Sequence, residues 1–288
     1  MRPAAEHWHE LLLVHSKRGD AHSVLTTLSS MAEADCPFDP TLRPEVVDMF
    51  ARRGDVKMVK RLVAGAGAMP PDARAAALVR AYFSADRPLA ARTVAENALR
   101  MGMQDSDALW FDLAAGLANR GLAQEVDSVL GRMAVVKPEL ADKLRFLKIR
   151  AFVKAGDMEA ARQAQRVAVE ARPRDRSPWL QLLFGLRAVG DEDGMRKVLG
   201  EMEASLGPES WLGFVQLVEF LSDRGESGKA FEVLRYMRGR GLAGPRFGTV
   251  VRYVLERSDG SAPKDFEREH RLFRRTAEMR FPRPAPGP

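Results

Sequence analysis

Histidine and cysteine have the widest chemical reach of the residues in this 288-residue chain, and their spacing limits what they can do. His7 and His9 stand two apart, so on a helix they point away from each other and make a poor metal pair. His15 and His22 flank the tripeptide Arg18-Gly19-Asp20, and surface placement is the simpler reading for both. The single cysteine, Cys36, sits beside Pro37 with no base assigned to it, which reads as a linker residue rather than a nucleophile. One cysteine allows neither an intramolecular disulfide nor a multi-cysteine zinc site, and it fits a reducing compartment or an organelle matrix. The sequence has no phosphate-cradling glycine loop and no HExxH. These residues predict no enzymatic activity, no cofactor, no metal and no small-molecule substrate.

The chemistry left is that of charge. Lys+Arg number 45 against 39 Asp+Glu, a net +6, but the surplus is local. From Arg235 onward there are 13 cations and 6 acids, leaving 32 against 33 in residues 1–234. In the last segment Arg268, Arg271, Arg274, Arg275 and Arg280 mix with Phe266, Leu272, Phe273 and Met279. That pattern describes a capping helix with a solvated basic face, or a contact for phosphates or an acidic partner, and the two readings are compatible. No apolar run approaches the ~18 residues of a membrane span, so no membrane partner is expected. The opening "MRPAAEHWHE" has the look of neither a secretory signal nor a transit peptide.

The elements that must position these charges follow from a period. Arg18-Gly19-Asp20 recurs as Arg53-Gly54-Asp55, and short glycine breaks continue at Gly121, Gly156, Gly190 and Gly225, with Asp157 and Asp191 after the middle two and Asp86 filling one gap. The intervals are 35, 32, 35, 35, 34 and 35 residues, and a further beat falls at Ser258-Asp259-Gly260. Five residues after each break stands Val24, Val59, Ala91, Val126, Ala161, Met195 or Ala230, where a second helix packs closely on the first. Before four of the breaks come Trp8, Trp110, Trp179 and Phe214, each followed by a leucine three residues on, Leu11, Leu113, Leu182 and Leu217. Each unit reads as helix, tight turn, helix: a left-handed residue at the turn needs no Cβ, and the Asp after it caps the next helix. Helices are predicted over 6–18, 21–34, 42–53, 56–66, 72–84, 88–101, 107–120, 123–134, 139–155, 158–171, 177–189, 192–205, 209–224, 227–240, 246–257 and 263–280. Hairpins of this size bury both faces only by stacking, which predicts an all-α, right-handed α-solenoid of about seven to eight helix-turn-helix repeats. The repeat array is placed at 5–245, degenerate basic capping helices at 246–280, and a disordered proline-rich tail at 281–288.

A hairpin of about 35 residues with "AGDMEAA" at its turn and methionine twelve residues after the glycine, at Met31, Met133, Met202 and Met237, is similar to the pentatricopeptide repeat. "YMRGRGLAGP" and "RMGMQDS" resemble that repeat's end, while "FLKIRAFVKAGDMEAARQAQRVAVEARPRD", with Ala168 in place of methionine, leans toward the tetratricopeptide repeat. The dominant 35-residue interval and the four methionines in register favour the pentatricopeptide family.

The resemblance implies a binder of single-stranded RNA, transcript or ribosomal, in a mitochondrion or plastid. It implies one base per repeat, selected by a side chain ten residues before the turn and by the unit's last residue. The first selector positions hold His9, Pro44, Ala76, Phe111, Phe146, Leu180 and Val215, and none is Asn, Ser or Thr. The last positions hold Asp39, Arg74, Ser106, Ala141, Arg176, Ser210 and Pro245. Only His9 with Asp39 offers two polar groups to a base edge, so the one-base code is not legible. Two expectations stay open. The chain holds RNA by stacking on Phe111 and Phe146 with Lys17, Arg52, Arg80, Arg150, Lys154 and the C-terminal arginines on phosphates, or the apolar selector face is a protein groove or core and the chain is a scaffold.

Overall fold

The computed structural model describes residues 5–64, 69–242, 244–258, 263 and 266. Among them every regular element is helical. The order is α1 Ala5–Arg18, α2 Ala21–Glu33, α3 Arg43–Arg52, α4 Val56–Ala64, α5 Pro71–Ser84, α6 Pro88–Arg100, α7 Asp107–Ala118, α8 Ala123–Val136, α9 Pro138–Leu144 and α10 Phe146–Ala155. It continues with α11 Met158–Ala171, α12 Ser177–Val189, α13 Glu192–Leu206, α14 Trp211–Asp223, α15 Ser227–Gly239 and α16 Phe247–Arg257. Short 3-10 turns at Pro40–Leu42, Met103–Asp105 and Gly207–Ser210 lead into three of the first helices. The predicted 263–280 helix and the 281–288 tail lie outside the described residues, apart from Pro263 and Phe266.

The chain divides into two compact units, Met1–Ala155 and Gly156–Pro288. In the first, α1, α3, α5, α7 and α10 pack in succession, and α2, α4, α6 and α8 pack back on them as hairpin partners. In the second, α12, α14 and α16 form the first-helix row, with α13 and α15 as partners.

The turns explain the period. Gly19, Gly54, Gly121, Gly156, Gly190 and Gly225 all adopt φ between 71° and 80°, and Asp86 takes the same left-handed conformation at φ 56°. Beyond the turn the backbone amides of Asp20, Asp55, Arg87, Leu122, Asp191 and Glu226 donate five residues back, closing the preceding helix. Asp20, Asp55, Asp157 and Asp191 then accept from the backbone amide three residues on and open the next helix. Gly54 has a second reason to lack a side chain, since a Cβ would stand 2.8 Å from the Ala85 nitrogen. The residue before the glycine also has a task in two repeats: Arg53 Nη1 donates to Gly19 O at 3.0 Å, and Arg120 donates to Phe83 O and to Asp86, each joining one turn to the turn before it.

Val24, Val59, Ala91, Val126, Ala161, Met195 and Ala230, the residues five beyond each turn, are all fully buried. The four register methionines are buried as well, with Ala168 in the corresponding place. Leu113, Leu182 and Leu217 are buried, whereas Leu11 is 44% exposed and its neighbour Leu12 is fully buried. The predicted helix 139–155 is broken at Arg145. There the hydrogen bonds tighten to the i−3 carbonyl, Arg145 to Asp142 and Lys148 to Arg145, while the Arg145 guanidinium grips the Asp142 carboxylate.

Candidate nucleic-acid interface

The residues that line the first helices are set by their distance from the left-handed turn. Two before it stand Lys17, Arg52, Ser84, Asn119 and Lys154 in the first unit, and Ala188 and Asp223 in the second. Lys17 and Lys154 are exposed and form no ion pair among the described residues. Arg52 is exposed too, with its guanidinium 2.8 Å from Asp48 on the same helix. These three cations recur at one register position of the first-helix row.

The other predicted phosphate contacts are already engaged. Arg80 on α5 bridges Asp48 on α3 and Asp112 on α7, at 3.1 Å to the latter. Burial raises the Asp112 carboxyl above its ordinary value, outweighing the Arg80 charge and hydrogen bond that favour its ionised form. Arg150 lies over the Phe146 ring at 5.6 Å and reaches Asn119, and burial lowers its pKa. Arg268, Arg271, Arg274 and Arg275 lie outside the described residues.

Of the base-facing candidates, Phe111 is 42% exposed on α7, and Phe146, half-buried on α10, packs against the core of its unit. His9 Nε2 stands 3.4 Å from Pro37 O. Asp39 accepts from the Thr41 amide at 2.8 Å, and this hydrogen bond is the main reason its pKa falls, with a smaller contribution from the nearby His9. The structure thus brings His9 and Asp39 into one neighbourhood.

Burial shows why five of the fourteen selector positions cannot read bases. Ala76 and Val215 are core residues. Of the last positions, Ser106 is buried and accepts from the Leu109 amide, Ser210 is fully buried and donates to Gly207 O, and Ala141 is buried. The two serine hydroxyls hold the repeat junctions.

Sequence reasoning missed the cross-repeat polar networks. Besides Asp48–Arg80–Asp112, the second unit has Arg187 on α12 bound to Gln216 at 3.1 Å, Glu219 at 3.0 Å and Asp223 at 2.7 Å on α14, and Asp223 also accepts from Tyr253 on α16. A signal existed for the first: Asp48 and Arg80 both stand six residues before their turns, with opposite charges in successive repeats. No group of three or more His, Cys, Asp or Glu residues that could hold a metal occurs among the described residues, and no helix there is long and apolar enough to cross a membrane.

No family model matches the sequence, and no curated protein matches it. Solved structures do. The pentatricopeptide repeat protein PPR10 in complex with an 18-nt psaJ RNA element aligns with a TM-score of 0.54 at 12% identity, over 93% of this chain and 40% of that one. A cysteine-substituted PPR10 bound to the same RNA element gives the same values. The chain therefore spans less than half the length of these neighbours. By fold, the chain is a pentatricopeptide-like helical-repeat protein.

Proposed function

We propose that this chain is a non-catalytic helical-repeat protein that binds single-stranded RNA, transcript or ribosomal, in organellar RNA metabolism. It grips phosphates and has little base selectivity. The observation that carries this reading is the exposed Lys17, Arg52 and Lys154 at one register position in three of the first unit's five first helices. Cations repeated along a row match a phosphate backbone whatever its sequence. The buried selectors Ala76, Ser106, Ser210 and Val215 support weak base discrimination. The RNA-bound state of the PPR10 structures supports the ligand class, and the family resemblance supports a mitochondrial or plastid setting. The test is binding of a mixed-sequence single-stranded RNA by fluorescence anisotropy over a range of salt. Affinity is expected to fall linearly on a log–log plot, and no detectable binding at low ionic strength sinks the reading.

A helical-repeat adaptor for a protein partner is the second reading. It is favoured by Ala188 and Asp223 in the second unit, which replace the cations at the same register position. A stoichiometric protein partner retained after ribonuclease treatment would favour it.

A further inference from the structure

The second helices of the first unit carry a charged cavity that the RNA reading does not use. Between α6 and α8 lies a hollow of about 330 Å³ lined by Glu96, Leu99, Arg100, Gln104, Trp110 and Arg132, with Val136 completing the wall. Its floor is closed: Trp110 and Leu99 are buried, at 3% and 7% exposure, and the Trp110 indole N–H is satisfied by Gln104 O at 2.8 Å, so the ring leaves no spare donor. Three guanidiniums converge on the Glu96 carboxylate, but they share it unequally. Arg92 holds Oε1 at 2.8 Å, while Arg100 and Arg132 stand at 4.0 Å, beyond hydrogen-bond distance. Glu96 is thus neutralised by Arg92, and the two arginines facing the cavity retain hydrogen-bonding capacity. Val136, in its wall, is 40% exposed.

We infer that this cavity docks an acidic peptide segment, with an apolar side chain against the exposed Val136 wall and flanking carboxylates on Arg100 and Arg132. Guanidinium forks pair with carboxylates in two-point geometry, which supplies the charge complementarity. The exposed Val136 wall favours a polypeptide over a nucleic acid, since phosphates gain nothing from it, whereas an apolar anchor among arginines is the usual form of a binding hot spot. The site lies between second helices with Trp110 of α7 beneath it, shares no residue with the Lys17–Arg52–Lys154 row, and does not depend on RNA binding.

The test uses the full chain and a fluorescein-labelled peptide carrying Leu-Trp-Leu between runs of glutamate, with a glutamine-flanked peptide as control. Saturable binding of the acidic peptide is expected, roughly tenfold weaker for the control, for Arg100→Glu with Arg132→Glu, and for Val136→Ser, which removes the apolar wall without adding a charge. Glu96→Gln releases Arg92 and is expected to tighten binding, while Lys17→Glu with Lys154→Glu leaves it within about twofold. Circular dichroism melts confirm that the variants fold. The inference is overturned by absence of binding, by equal binding of the glutamine peptide, by indifference to Arg100→Glu with Arg132→Glu or to Val136→Ser, or by a single-stranded RNA that occupies the site in the peptide's place.

Discussion

Asp86 holds a backbone conformation that glycine holds at six other turns, with φ at 56°. An Asp side chain can bond locally and so tolerates the left-handed region better than most residues, and here Arg120 also pairs with it at 3.1 Å. Glycine is less replaceable where the next repeat comes close. Gly54→Ala is expected to cost more than the ~1–2 kcal/mol of the left-handed backbone alone, because its Cβ would meet the Ser84–Ala85 backbone. Gly225→Ala, whose Cβ would meet nothing, stays near that value; denaturant midpoints of the two variants check the order. The turn was legible residue by residue because its requirement is local: one left-handed position and one capping carboxylate. The selector positions were legible only in part. Their apolar types showed that they could not hydrogen-bond a base, but the burial of Ser106 and Ser210 depends on where neighbouring helices lie.

Helices are joined across repeats by buried or half-buried charge. Arg80→Met is expected to destabilise the protein by about 1–3 kcal/mol, since it strands the Asp112 carboxylate at a largely buried site. Adding Asp112→Asn should recover part of that loss in a double-mutant cycle followed by chemical denaturation. The hydrogen bond from Arg92 is the chief reason the Glu96 carboxyl lies below its ordinary value of 4.5. A lowered folded pKa means that Glu96 contributes stability above about pH 4.5 and loses it as pH falls through the folded value. Glu96→Gln is therefore expected to flatten the acid limb of the melting temperature against pH, while leaving its shape near neutrality unchanged. Nearly all helix bounds could be read from the period, but not the break at Arg145, where the i−3 hydrogen bonds leave no mark in composition. Partners 32 residues apart, such as Asp48 and Arg80, were equally hard to see, because their meeting depends on how neighbouring helices tilt.

Over the whole molecule the decisive quantity is where positive charge is available to a polyanion. Residues 1–234 are almost neutral in sum, yet Lys17, Arg52 and Lys154 present cations in a row, and the last fifth adds its own surplus. Sequence counting located the second source and gave candidates for the first; the structure separated Lys17 and Lys154, which have no ion-pair partner among the described residues, from Arg80, which is committed to two aspartates. The most direct measurement is the salt dependence of single-stranded RNA binding by the full chain and by its Lys17→Glu, Arg52→Glu, Lys154→Glu variant. The account predicts that the triple variant loses at least tenfold in affinity at low salt, that its log–log slope shrinks by about one for each phosphate contact removed, and that the loss is the same for RNAs of different sequence. RNA binding that is unchanged in the triple variant, or that depends strongly on base sequence, would contradict it.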